Sequence, residues 1–257
     1  MTRARVAIVI PALDEESVLP GVLAELNLEL ERTSAGRDWD LAALIVVDNG
    51  SRDRTAAVAG AGGATVVLEP RRGYGAACLA GLARLAANPP DIVAFMDADG
   101  SDDPRELSQL VAPIIAGRAA LVIGSRVIGT VEPGALTVVQ RFGNRLASWL
   151  LRSLFGVQVS DLGPFRAIEW SALERLAMRD RDYGWTVEMQ ARAARTGIEM
   201  LEVAASWRRR RGGESKVSGT VRGVFGAGSK ILTTIVRVRL ERADTHETRP
   251  PDSTTSG

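Results

Sequence analysis

Two aspartates, Asp97 and Asp99, stand one residue apart at the end of the apolar run Ile92 to Met96. Two carboxylates so close repel each other unless a cation lies between them. Ligands that offer only oxygen select a hard divalent ion, Mg or Mn, which a bound diphosphate could share. The same stretch, DADGSDDP, has a second use, because Asp102 or Asp103 can cap a helix that starts near Pro104. The two uses are compatible, since the capping residues leave Asp97 and Asp99 without a structural task.

The elements that must position this pair follow from the pattern around it. Ile92 to Met96 is short, apolar and partly β-branched, which predicts a strand buried on both faces of a parallel sheet. Ligands of open α/β sheets sit at the carboxyl ends of such strands. Similar runs at Arg5 to Pro11, Leu41 to Val47, Ala64 to Leu68 and Ala119 to Gly124 predict further strands. Helices are expected between them, from near Ser17 to Ser34, Arg52 to Gly60, Ala76 to Ala87 and Arg105 to Ala116. This alternation predicts an α/β fold, a mostly parallel sheet with helices on both faces. The first strand-to-helix turn has no glycine, so a nicotinamide-binding G-x-G-x-x-G is excluded there. Its carboxylates, Asp14 to Glu16, suit either a nucleoside or the helix N-terminus. The glycines of Arg72 to Gly75 allow close backbone approach, and the arginines beside them offer anion contacts.

Composition narrows the chemistry. In 257 residues with net charge +1 there is one cysteine, Cys78, and one histidine, His246. An internal disulfide and a Cys/His zinc site are therefore excluded, and a Ser-His-Asp triad is disfavoured. Carboxylates, arginines, lysines and a metal remain. Neither a signal peptide nor an apolar span of membrane length is present, so the expected location is cytoplasmic, soluble or peripheral to the membrane.

Past Arg126 the pattern changes. Gly129 to Leu136 reads as a flexible lid, and Val139 to Phe155 as an amphipathic helix whose stripe of Phe142, Leu146, Trp149, Leu150 and Leu154 is expected to pack in the core. Asp161 to Arg166 reads as a loop, followed by helices from Trp170 to Leu176 and Trp185 to Arg195 and a strand from Glu199 to Trp207. Arg208 to Arg211, Lys216 and Arg222 then stand against a single acid, Glu214. A glycine-containing loop this basic points to an anionic partner, phosphate groups or an acidic membrane surface. The segment lacks the aromatic interleaving of a nucleic-acid binder. Val217 to Leu240 reads as a helix suited to interfacial membrane contact, and Glu241 to Gly257 as a disordered tail. Residues 1–240 are thus expected to form one domain, a nucleotide-binding half to residue 126 and an acceptor half after it.

PALDEE (11–16), VVDNGSRDRT (46–55), RGYGAA (72–77), DADGSDDP (97–104), GSR (124–126), SDLGPFRA (160–167), WTVEMQ (185–190) and RGGESKVSGT (211–220) occur in this order. The set resembles family 2 glycosyltransferases of the dolichol-phosphate mannose synthase type over about residues 5 to 225. The resemblance implies a GT-A fold and inverting transfer of a sugar from a nucleotide diphosphate donor. It further implies nucleoside contacts from Pro11, Leu13, Glu15 and Asp48, with Asn49 standing where a second carboxylate is usual. Ala98 and Asp99 would hold donor and metal, with Asp97 as the other carboxylate and Ser101 beside the ion. Arg126, Arg210 and Lys216 would bind the donor diphosphate or the acceptor phosphate. The loop Ile128 to Leu136 departs from the mannose-synthase pattern and Gly100 resembles the glucosyl branch, so GDP-mannose and UDP-glucose both stay open as donors.

A metal at Asp97 and Asp99 would neutralise the departing diphosphate, with Arg210 and Lys216 adding positive charge. A polyprenyl phosphate acceptor, already ionised, needs no strong base. A hydroxyl of a soluble or cell-wall glycan would need one, and Glu188 is the candidate, although it could equally be a surface carboxylate paired with Arg192. A sugar-nucleotide binding module without catalysis is the reading from another class. A homodimer is left open.

Overall fold

The computed structural model describes residues 3–212 and 221–241. Seven strands form one sheet in the order β3-β2-β1-β4-β6-β5-β7. They are β1 (Ala4–Ala12), β2 (Trp39–Asp48), β3 (Thr65–Leu68), β4 (Ile92–Phe95), β5 (Leu121–Val131), β6 (Arg166–Glu169) and β7 (Met200–Trp207). All run parallel except β6, which is antiparallel to both neighbours, β4 and β5. The helices are α1 (Leu19–Thr33), α2 (Thr55–Ala61), α3 (Tyr74–Leu85), α4 (Leu107–Ile115), α5 (Val138–Phe155), α6 (Trp170–Leu176), α7 (Trp185–Arg195) and α8 (Val221–Leu240).

The strands alternate as a sheet covered on both faces must. Val6, Ile8 and Ile10 of β1 face a core shared with α1 and α4, through Leu19, Leu23, Leu26 and Leu110. Ala7 and Val9 face the other core, with Phe95, Trp185 and Met189. A third, smaller cluster joins α5, α7 and α8 through Leu151, Val187, Ile235 and Val238. The parallel direction carries the carboxyl ends of β1, β2, β4, β5 and β7 to one edge of the sheet. Antiparallel β6 brings the loop before it to that edge as well.

The expected α/β architecture is present, with four corrections. The first is β6, hidden in sequence because Arg166–Glu169 is only four residues long and carries a charge at each end. The second is the expected lid, whose first part is the continuation of β5. Thr130 and Val131 pair with Ser206 and Trp207 of β7 after a register shift. Gly129 lies where a Cβ would collide with the backbone of Ala205, so a residue that reads as loop composition serves strand pairing.

Third, α5 buries Ala147, Ser148 and Leu151, not the bulky stripe, and leaves Phe142 67% and Trp149 54% exposed. Small residues let α5 lie close to its neighbours while the aromatic side chains project away. Fourth, Glu241 does not belong to a tail. Its carboxylate meets Arg192 at 2.9 Å and Arg195 at 3.4 Å, binding the end of α8 to α7. Residues 217–220, expected to open this helix, and 242–257 lie outside the described residues.

Two glycines give a test of this packing. Gly75 abuts the backbone carbonyl of Asp180, so Gly75→Ala is expected to cost about 1–3 kcal/mol. Nothing lies near the Cβ position of Gly21 within α1, and Gly21→Ala should raise stability by about 0.5–1 kcal/mol. Urea denaturation of the two variants would show the opposite signs.

Candidate active site

The loops after β1 and β2 are laced together by side chains. Asp14, in the left-handed region at φ 53°, donates its N–H to Ser51 Oγ (2.9 Å) and accepts from Arg52 N–H (2.7 Å). Glu15 N–H donates to Thr55 Oγ1 (2.8 Å), and Glu16 accepts from Arg54 N–H (2.7 Å). Asp14 and Glu16 are thus consumed in joining two loops. The buried carboxylate of Glu15 is turned to the site, where Arg210 Nη1 lies 3.2 Å from Oε1. Pro11 and Leu13 are half-buried beside it.

Asp48 is buried and accepts from Ser51 N–H (2.9 Å). Asn49 has a different task from the one its neighbour's position suggests. Its amide donates to the carbonyls of Glu69 and Arg71, and its oxygen accepts from Gly73 N–H (2.8 Å). The side chain thus closes the loop between β3 and α3. The glycines of that loop bring it against the chain's own backbone at Arg181 and Asp180.

At the end of β4 the carboxylates gather. Asp97 N–H donates to Asp102 Oδ2 (2.8 Å). Asp99 Oδ1 accepts from the N–H and the hydroxyl of Ser101, and its Oδ2 lies 2.8 Å from Arg210 Nη2. Ser101 therefore orients Asp99. The methyl of Ala98 is packed into the core, so contact from that residue to a ligand would come from its backbone. Asp103 alone caps the next turn, accepting from Arg105 N–H at 3.0 Å. Asp102, which reads in sequence as an alternative cap, is buried with the catalytic-type pair.

The arginines after β7 close over this group. Arg208 N–H donates to the Ser101 carbonyl and Arg211 N–H to that of Asp99. Arg208 also joins Asp103 to Glu25, and Arg211 reaches Glu25 at 2.8 Å. Gly100, at φ 76°, leaves room for the Arg211 side chain. Lys216 lies outside the described residues.

The charge balance is lopsided. Burial and the neighbouring Asp99 push Asp97 up to about 7, with Arg210 and Arg126 pulling the other way. Burial and Asp97 raise Asp102 well above the usual carboxylate range. Burial also opposes the charge on Asp103, but Arg105 and Arg208 outweigh it and hold that group at about 2. Asp102 Oδ1 is buried with no hydrogen-bond partner among the described residues. Asp97, Asp99 and Asp102 are therefore the groups that could hold a divalent cation. No three such ligands among the described residues already form a cage, so oxygens from a bound phosphate would have to complete one.

Beside the carboxylates, Arg126 is clamped by Asp161: its N–H, Nε and Nη2 lie at 2.7, 2.8 and 2.6 Å from the carboxylate oxygens. Its guanidinium lies 4.8 Å over the Trp207 ring. Arg126 and Asp161 also line a cavity of about 1300 Å³ between the extension of β5, α5 and α8. Nothing in the sequence pairs Asp161 with Arg126, since they are far apart and meet only because β5 and β6 are neighbours.

Glu188 is placed elsewhere. It is fully buried, 3.0 Å from Arg192 Nε and 3.2 Å from Arg237 Nη2, and it accepts from the N–H groups of Arg179 and Asp180. The expected Arg192 pairing exists, inside the α7–α8 contact and not on the surface.

The geometry agrees with what the chain shares with other proteins. Residues 7–177 match the sequence profile described as Glycosyl transferase family 2. The chain belongs to that family. This glycosyltransferase is 44% identical over 220 residues to an uncharacterized glycosyltransferase of Mycobacterium tuberculosis, covering 85% of this chain and 92% of the relative. It is 30% identical over 257 residues to the polyprenol monophosphomannose synthase of Mycolicibacterium smegmatis, covering 93% of this chain and 90% of that one. An undecaprenyl-phosphate mannosyltransferase of Micrococcus luteus is 30% identical over 233 residues, covering 85% and 90%. In fold, the glycosyltransferase is similar to M. tuberculosis glucosyl-3-phosphoglycerate synthase solved with Mn2+, UDP and glucosyl-3-phosphoglycerate, with TM-score 0.70 and 24% identity over 91% of this chain and 80% of that one. The fold is GT-A.

The raised carboxylates predict a pH signature. Between about pH 4 and 7 the folded chain keeps the Asp97 proton that an unfolded aspartate has lost, so this stability is present at the acid end and lost as pH rises through 7. Thermal unfolding in EDTA should show that fall. Asp99→Asn, which removes the neighbouring charge that raises Asp97, is expected to flatten that fall.

Proposed function

We propose that this glycosyltransferase moves a hexose, with inversion, from a nucleoside diphosphate sugar to a polyprenyl phosphate. The observation that carries this reading is the cavity beside Arg126. One wall is apolar, with Phe142, Leu146, Trp149 and Leu232, and Arg141, Arg145 and Arg152 line it as well. None of these three arginines makes an ion pair with a described residue. Ser148 Oγ, also on the lining, is buried without a hydrogen-bond partner among the described residues. Free guanidinium groups beside apolar surface suit a phosphate monoester on a long hydrocarbon chain. A small hydroxyl acceptor would leave the apolar wall without a use. The names of the two 30% relatives support the same acceptor class.

The donor would lie across the loops after β1, β2 and β4. Glu15 and Asp48 offer carboxylates to the nucleoside, and Pro11 and Leu13 half-buried surface beside them. Asp97 and Asp99, with Asp102 behind them, would hold Mg or Mn. The ion, when bound, supplies positive charge to the leaving diphosphate. Arg210, already at Asp99, is placed to add to that charge, and Lys216 belongs to the same basic segment. Arg126, at the neck between carboxylates and cavity, would face the acceptor phosphate. A phosphate monoester is largely a dianion near neutral pH, its second pKa being about 6, so an oxygen of it can attack the anomeric carbon as the C1–O bond to the diphosphate breaks. Glu188 is not needed as a base.

Val138, Phe142 and Trp149 are 82%, 67% and 54% exposed around the cavity, with arginines among them. No described helix is long and apolar enough to cross a membrane. We read this face as the one that meets the membrane surface, where the lipid acceptor resides.

The test is transfer of labelled sugar from GDP-mannose and from UDP-glucose, with Mg or Mn, to polyprenyl phosphate, to the free polyprenol and to 3-phosphoglycerate. Product on the lipid phosphate alone is expected; product on either other acceptor instead would overturn the assignment. Asp99→Ala is expected to lower turnover by at least about a thousandfold with an unchanged circular dichroism spectrum. Arg145→Ala should raise the acceptor KM by about tenfold and leave the donor KM in place.

A further inference from the structure

The loop between Ser160 and Gly163 is held in an unusual way: each of its four carbonyls is taken by a side chain. Asn144 donates to Ser160 (3.2 Å) and Gln190 to Asp161 (2.8 Å). Leu162 and Gly163 are both taken by Arg166. On the other side, Glu202 accepts from the N–H groups of Ser160 and Asp161, both at 2.9 Å. Gly163 lies against the Gly124 carbonyl, where a side chain would not fit.

Arg166 is the centre of this arrangement. It is fully buried, and its guanidinium spends its donors on backbone, with Nε 3.0 Å from Gly163 O, Nη2 3.0 Å from Leu162 O and Nη1 3.0 Å from Thr186 O at the start of α7. No carboxylate is hydrogen-bonded to it among the described residues. Burial holds it down to about 10, with Tyr74 and Asp161 nearby pulling the other way. An apolar residue would fill the same core at less cost, so a buried fork of this kind needs a reason beyond packing. The loop it fixes carries Asp161, whose carboxylate is wholly buried and clamps Arg126 over Trp207.

We propose that Arg166 is a positioning residue for the transfer reaction: by tying the Leu162 and Gly163 carbonyls to α7 it sets Asp161, and through Asp161 the guanidinium of Arg126 at the neck between the carboxylates and the cavity. The chain of contacts runs from core to site in three steps, Arg166 to loop, Asp161 to Arg126, Arg126 to Trp207. Arg166→Lys keeps the charge and loses the fork, so it leaves the loop carbonyls partly released and Arg126 less well aimed.

The stacked ring makes this measurable without turnover. The full chain, labelled with 5-fluorotryptophan, has five fluorine signals, of which Trp207 is assigned by Trp207→Phe. Arg166→Lys is expected to move the Trp207 signal in the direction that Arg126→Lys moves it, with Trp39, Trp149 and Trp170 in place. A Trp207 signal that stays put, or a shift of all five, overturns the proposal. Should Arg166→Lys not fold, Gln190→Met frees only the Asp161 carbonyl; a smaller Trp207 shift of the same sign supports the proposal, and none refutes it. The kinetic arm rests on the acceptor assignment above: Arg166→Lys should raise the acceptor KM by about tenfold with the donor KM unchanged. Adding Asp161→Asn should cause no further loss. Absence of lipid transfer in the wild type would defeat that assignment, while the fluorine signal would still decide the role of Arg166.

Discussion

Mutual repulsion of carboxylates at the end of β4 is the constraint on which the rest depends. An apolar strand delivers Asp97, Asp99 and Asp102 to one place and partly removes them from water, which no chain does without a compensating charge nearby. The structure supplies part of it as Arg210, which spans Asp99 and Glu15, and part as Arg126 at the side. The remainder is a deficit, visible as Asp97 held near 7 and as the unpartnered oxygen of Asp102. The proposed cation, arriving with phosphate oxygens of its own, would make good such a deficit.

The sheet's directions make that compensation available. Arg208 to Arg211 are distant in sequence from Asp97, yet β7 lies parallel to β5 and ends at the same edge as β4, so the chain leaving β7 runs across the carboxylates. Backbone bonds from Arg208 and Arg211 to Ser101 and Asp99 fix the crossing. Antiparallel β6 has a related effect beside the cavity. Its reversal brings the Asp161 loop to the edge where the parallel strands end, and Asp161 can then hold Arg126 of β5.

Much of this was legible in the sequence, for identifiable reasons. Buried parallel strands are continuous apolar runs, so β1, β2 and β4 and the acidic turn after β4 are plain. The arginine run after a strand is equally plain as an anion contact, although its pairing with Asp99, Asp103, Glu15 and Glu25 is a matter of strand order. What was hidden depends on contacts between distant segments. Asn49 reads as a substituted ligand position and is in fact the clasp of the β3–α3 loop. Glu188 reads as either a catalytic base or a surface acid and is buried among arginines, because α8 covers it. The stripe of α5 has the spacing of a core face, but periodicity tells which residues share a face and not what lies opposite.

The pairing of Thr130 with Ser206 and Val131 with Trp207 has a mechanical side. The far half of β5 forms the rim of the cavity beside Arg126 through Gly129 and Val131, and β7 leads without a break into the arginines that cover the carboxylates. Rim and cover are two strands of one ribbon. Under the proposed function, a lipid that pushed the rim outward would also pull on Arg208 to Arg211, and a donor that drew those arginines down would draw in the rim. Hydrogen bonds of the sheet would then carry occupancy of either side to the other, without any separate hinge.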